Sequence, residues 1–222
     1  MTAVDLRTRF RNIPKPDRDA HQDFAIRVWR ALSWLERAES LAGLDYEGRF
    51  ISCWIALNAL NALYGRLDDH GKPWGDREAL STYVAQSWRL DNQQRLHRIL
   101  GKRELHIIKL IGDKHLSIEF WNEGHPGERR VQREFKQASV TFRSRNRLPI
   151  LKKLFERLYV MRVQVFHGAS TKGSKLNRRT LQRSATILLD MLPIFIQIML
   201  EAGLQHEWGR VCFSPAGGES SL

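Results

Sequence analysis

The 222-residue chain holds only two cysteines, Cys53 and Cys212, too few for a disulfide framework. With Cys53 inside an apolar helical pattern, the pair points to a reducing compartment. Long hydrophobic runs are lacking as well. The most apolar stretch, Ile187 to Leu200, is broken by Asp190, Pro193 and Gln197 and is too short to span a bilayer. Met1 to Arg18 is basic and has no apolar run, so no signal peptide is read there. These absences predict a cytoplasmic protein with no membrane partner. Missing too are His-Glu-x-x-His, paired Cys-x-x-Cys and any Gly-rich phosphate loop; Gly112 and Gly124 stand alone. No metal and no cofactor is therefore expected. His97, His106, His115 and His125 show no ligand spacing and read as exposed or packing residues. No internal repeat and no alternating strand pattern occurs, which excludes most β architectures.

Acidic residues are scarce in one segment. Between residues 126 and 183, sixteen Lys and Arg face three acids, Glu128, Glu134 and Glu156. The remainder holds 20 basic and 21 acidic residues, so this segment carries the whole net charge of +12. Concentrated positive charge suits a polyanion such as nucleic acid. A merely basic, well-solvated surface is the plainer alternative.

What is present is helical. Residues 1–18, with Pro14 and Pro16, read as a basic N-terminal arm. One domain is predicted over 19–204, followed by a frayed C-terminal tail, 205–222. Asp19 is a plausible N-cap for a first long helix reaching about Ala42 and stopped by Gly43. The second helix, Tyr46 to Tyr64, is apolar around most of its circumference and is expected at the centre, with Gly65 ending it. Asn58 and Asn61 interrupt it on one face, either as satisfied buried amides or as support for a site elsewhere. Asp68 to Gly75 is a loop. Shorter helical pieces, separated by Asp91, Gly101 and Gly112, follow to about Gly124. The whole 70–147 stretch reads as an inserted helical subregion, ending in a basic helix over Glu128 to Arg147. Ala169 to Asn177 is a loop, and a final helix is predicted over Arg178 to Ala202. The fold class is all-α, a bundle of four main helices with that insertion.

The central helix is predicted from about Pro149, a residue suited to a first turn, to His167. Leu151, Leu154, Phe155, Leu158, Val165 and Phe166 form one buried stripe. Arg162 lies on the same stripe, where an arginine is costly unless acceptors or an anion meet it. His167 follows at the helix end, where the macrodipole favours a cation, and Gly168 is the residue type that most often stops a helix. One helix thus offers a fixed charge and a titratable imidazole five residues apart. Charge and spacing alone leave two readings: Arg162 paired with a carboxylate such as Glu39 or Glu47 beside a capping histidine, or an anion site. Five residues also rotate by about 140° from a common direction. One copy therefore converges poorly on a phosphate, whereas two copies about a two-fold axis bring both pairs to one cleft.

The pattern Arg162-Val-Gln-Val-Phe-His167-Gly168 resembles the Arg-x4-6-His motif of HEPN domains (higher eukaryotes and prokaryotes nucleotide-binding). The upstream Arg49-Phe-Ile-Ser-Cys-Trp-Ile-Ala-Leu-Asn-Ala-Leu-Asn-Ala-Leu-Tyr-Gly65 is similar to the apolar second helix of the Apea-like branch. The resemblance covers about residues 19–66 and 148–202. It implies a metal-independent endoribonuclease of toxin–antitoxin or antiviral type, working as a homodimer with its site where two domains meet. RNA, tRNA included, would be the substrate, and a cognate inhibitor protein a further partner. It implies Arg162 and His167 as the catalytic pair, supported by Gln164, Asn58 and Asn61. The products would be a 2′,3′-cyclic phosphate and a 5′-OH, which requires the ribose 2′-OH. Lys172, Lys175, Arg178 and Arg179, with Arg143, Arg145 and Arg147, are expected to hold the RNA backbone. The position after the arginine is usually polar in this family and is Val163 here. That departure implies the alternative, a catalytically silent module that binds RNA or a partner protein.

Overall fold

A computed structural model describes residues 1–41, 43, 45–61, 75–168 and 177–212, and these are all-helical with no strand among them. Two short helices, α1 (Ala3–Arg11) and α2 (Lys15–Ala20), precede the long α3 (Gln22–Ser40). The N-terminal residues are not an arm. Ala3, Leu6 and Phe10, spaced to fall on one helix face, are completely buried against the core. Thr2 and Asp5 close a capping box at the start of α1, the reciprocal pairing that satisfies orphan backbone donors. Three apolar residues and a cap suffice here because the partner surface is already apolar.

The centre is α4 (Tyr46–Asn61), as its all-round apolarity predicts; it packs between α3 and the last long helix, α11 (Arg178–Ala202). Gly65 and the loop 68–74 lie outside the described residues. α11 is the spine, touching α1, α3, α4, α5 and α10. Its apolar stripe, from Leu181 through Leu188 and Phe195 to Met199, is buried in the core. By length and composition it could cross a membrane, but that stripe is occupied by its neighbours within the molecule.

The described part of the 70–147 stretch, residues 75–147, is continuous with this core rather than appended to it. Its helices are α5 (Asp76–Leu90), α6 (Arg95–Lys102), α7 (Glu104–Ile111), a 3-10 turn (Lys114–Leu116), α8 (Ile118–Glu123) and α9 (His125–Thr141). Leu80, Val84, Leu96, Leu100, Ile107 and Ile111 all join the central cluster. The break expected at Gly101 falls two residues later, at Arg103, because α6 runs through Gly101. A Cβ there would stand 2.8 Å from the Arg147 guanidinium, so the glycine serves a close approach, not a helix end.

α10 (Leu148–Phe166) begins with Pro149 in its first turn and ends as predicted. His167 is the C-cap, and Gly168 takes the left-handed conformation, φ +70°. α10 packs on α5, α7, α9, α4 and α11. After α11 and a second 3-10 turn, residues 206–212 do not fray. Trp208 and Val211 are buried, and the wholly buried Arg27 of α3 donates to the carbonyls of Leu60, Gly209 and Arg210 at 3.2, 3.3 and 2.9 Å. Asp23 accepts the Val211 amide at 2.7 Å. A buried guanidinium needs such acceptors, and the tail supplies two of them. Residues 213–222 lie outside the described set.

Candidate functional site

The core runs out one turn before α10 does. Residues Leu151 to Met161 hold its buried stripe, whereas Arg162, Val163, Gln164 and Val165 are half-buried and Phe166 and His167 are exposed. The arginine that the core accommodates is Arg157, 2% exposed. It donates to the carbonyls of Ile111 (3.2 Å) and Leu116 (3.1 Å) and pairs with Glu134, tying α10 to α7, the 3-10 turn and α9. Lys153 joins the same carboxylate at 3.1 Å and Glu156 at 2.6 Å. Burial alone would lower the Lys153 ammonium, but the bonds to Glu156 and Glu134 outweigh it and hold it above its ordinary value.

Arg162 is therefore not the buried cation of its stripe. Its guanidinium lies over the Phe166 ring, 5.1 Å from the centroid, one turn further along the same face. It forms no hydrogen bond or ion pair among the described residues, so the pairing with Glu39 or Glu47 is absent; Glu39 instead accepts the Ala3 amide at 3.1 Å. The His167 ring also has no partner among the described residues. Arg162 and His167 make no contact with each other, consistent with the large angle between them around one helix.

Gln164 and His167 share a face. Gln164 donates through Nε2 to the His115 carbonyl at 2.5 Å. The same carbonyl accepts Trp121 Nε1 at 3.0 Å. Around it the His115, Phe120 and Trp121 rings contact one another at centroid distances of 5.3–5.8 Å, with Trp121 60% exposed. The turn that carries His115 also meets α11: Asp113 accepts the Thr180 hydroxyl at 2.6 Å. The last turn of α10, the 113–117 turn, α8 and the first turn of α11 thus gather at one end of the molecule. Arg178, half-buried, and Arg179, exposed, belong to that end. Each stands at the positive pole of α11, an arrangement unfavourable by roughly 0.3–1 kcal/mol per cation unless an anion offsets it. The His115–Trp121 cluster is invisible in the sequence, because the contact to Gln164 spans 49 residues and no local pattern announces it.

The other expected residues lie apart. Asn61 is buried and donates to the Leu57 carbonyl of its own helix at 2.8 Å, while Asn58 is half-buried. Neither bonds to the α10 pair, although Trp54 on the same helix meets Tyr159 at 6.2 Å. Arg143, Arg145 and Arg147 sit at the opposite end of α10, a 19-residue helix and hence ~28 Å away at 1.5 Å per residue. Arg143 and Arg145 are exposed. Arg147 is already committed to the Phe142 carbonyl at 3.1 Å and the His97 carbonyl at 3.4 Å, so it braces α6 rather than facing a ligand. Lys172 and Lys175 fall outside the described residues. Among the described residues no three His, Cys, Asp or Glu side chains gather as a metal site.

Compared with protein-family models, with curated proteins and with solved structures, the chain matches none.

Proposed function

We propose that the chain is a metal-independent endoribonuclease of HEPN type, using Arg162 and His167. The observation that carries the reading is that Arg162 and His167 stand on the open last turn of α10 with no carboxylate on either among the described residues, inside the segment that holds all the net charge. A neutral imidazole can take the proton of the ribose 2′-OH. The freed oxygen attacks phosphorus, and the 5′-oxygen leaves with a proton. A guanidinium fork suits the charge that builds on the phosphoryl oxygens. Because Arg162 and His167 diverge on one helix, the reading assigns the cleft to two copies of the chain. Two imidazoles are then available, one as base and one as acid. The exposed Phe166, 43% accessible beneath Arg162, gives that contact an apolar element.

A second reading, a silent module that binds RNA or a partner, is favoured by two residues. Val163 offers no polar group beside Arg162, and the amide of Gln164 is spent on the His115 carbonyl. A cleavage assay in EDTA on total tRNA and a structured RNA, with wild type, Arg162→Ala and His167→Ala, separates the two. The nuclease reading expects cleavage by wild type alone. RNA bound but uncut by all three proteins would leave only the binding module.

A further inference from the structure

α9 carries four basic residues, Arg129, Arg130, Arg133 and Lys136, and two acids, Glu128 and Glu134. Both acids are turned onto the body of the molecule. Glu128 pairs with Lys114 at 3.0 Å, and Glu134 is held by Lys153 and Arg157. At 100° per residue, Arg129, Arg133 and Lys136 fall within ~60° of one another, directly opposite the buried Val131 and Ala138. All three are exposed and without a partner among the described residues, and with Pro126 and Gln132 they line a shallow groove. Arg130 is turned aside toward Glu123 at 3.9 Å. The acids that would neutralise this face have been used elsewhere.

The two ends of α9 are distinct. Its first residue, His125, follows α8 and so lies at the Trp121 end of the molecule. From its last turn the chain passes through Arg143 to Asn146, where Arg145 and Asn146 help line a cavity of about 650 Å³. Trp88 and His97, half-buried with ring centroids 6.3 Å apart, form the aromatic wall. Among its described lining residues the acid is Asp91, which accepts the Leu96 amide at 2.7 Å and pairs with Arg95 at 3.5 Å, a guanidinium that Glu201 also holds at 2.6 Å. The lining therefore offers two rings, the amides of Gln94 and Asn146, and the Arg145 guanidinium, which has no partner among the described residues.

We infer that the outer face of α9 is a phosphate track for single-stranded RNA, and that the Trp88–His97 cavity at its end takes an unstacked base. Point charges along a groove with an aromatic wall are the two elements of sequence-tolerant single-strand binding. An anionic membrane fits less well, because interfacial helices insert a continuous apolar face, and α9 exposes only two large apolar side chains, Phe135 and Val140, among its basic residues. The inference rests on RNA as the ligand but not on turnover at His167.

The test is fluorescence anisotropy with a labelled single-stranded RNA and its duplex, using the full chain carrying His167→Ala to suppress cleavage. Combined Arg129→Gln, Arg133→Gln and Lys136→Gln should weaken single-strand binding ~10–100-fold at physiological salt. The slope of log affinity against log salt should fall by about 2, as three lost single-strand contacts require. A control of equal charge, Arg11→Gln, Lys15→Gln and Arg37→Gln, should change neither. Trp88→Leu should cut the preference for single strand over duplex and leave the slope unchanged. Arg145→Gln, which leaves the packing of Trp88 intact, should also cut that preference. Equal losses in the α9 and control variants would reduce the effect to net charge and overturn the track. An unaltered slope, or α9-dependent binding to phosphatidylserine vesicles without RNA binding, would overturn it too. Cleavage by wild type with unimpaired binding in the α9 variants would sink this inference alone; RNA held on α9 without cleavage would sink only the nuclease reading.

Discussion

Two arginines five residues apart on α10 do opposite work. Arg157 spends its guanidinium on two carbonyls and Glu134 in the interior, whereas Arg162 rests on an aromatic ring at the margin. Breaking a buried ion pair from one side typically costs ~3–5 kcal/mol, so Arg157→Leu should lower the unfolding free energy in denaturant titrations by that amount. Arg162→Leu, at a surface position, should stay within about 0.5 kcal/mol. Equal costs would mean that the last turn of α10 is part of the core after all. Cysteine chemistry offers a second check. Burial pushes the Cys53 thiol up to about 12, and a thiol that rarely ionises reacts slowly. An aromatic disulfide reagent should therefore titrate the half-buried Cys212 in the folded protein and both cysteines in denaturant. Two rapidly reacting thiols in the native state would show that α4 is not enclosed. Periodicity put Arg162 on the right stripe, but a stripe does not say where its neighbours stop; that depends on where α5, α7 and α9 end.

At the scale of elements, the long helices and the shorter pieces between Asp76 and Gly124 were legible, and the docked segments 3–11 and 206–212 were not. α4, α10 and α11 follow from apolar spacing, with Gly168 and Pro149 marking the ends of α10. α1 was missed because nine residues with three apolar positions give too short a period to trust, and because its stability comes from docking. If it is docked, Phe10→Ala should cost about 3–5 kcal/mol, the usual range for emptying a buried phenylalanine site, seen as a lower melting temperature. A melting curve indistinguishable from wild type would restore the loose arm. The docked 206–212 segment was missed for the same reason: its acceptors serve Arg27, nearly two hundred residues earlier. α9 was recognised as basic and helical. That its two acids turn inward, and so leave its outer face uncompensated, is a property of the packing alone.

On the scale of the whole molecule, the candidate site was half legible. The pair Arg162 and His167 and its helix end could be read from the chain, as could the excess of charge around it. The grouping could not. Arg143 and Arg145 lie at one end of α10 and Arg178 and Arg179 at the other, with α9 spanning the distance between them. A cleft shared by two copies also predicts an assembly of twice the 25.9 kDa chain in sedimentation, and only partial recovery of cleavage when Arg162→Ala and His167→Ala chains are combined, since the mixed cleft keeps one Arg162 and one His167. A monomer with full activity would remove the shared cleft.

The most direct measurement takes one RNA, maps its cut site in EDTA, and replaces the ribose at that site with 2′-deoxyribose. The proposed mechanism predicts that wild type cuts the all-RNA strand to a 2′,3′-cyclic phosphate and a 5′-OH, and leaves the substituted strand intact. Cleavage of both strands alike, or cleavage only once a divalent metal is restored, would contradict it.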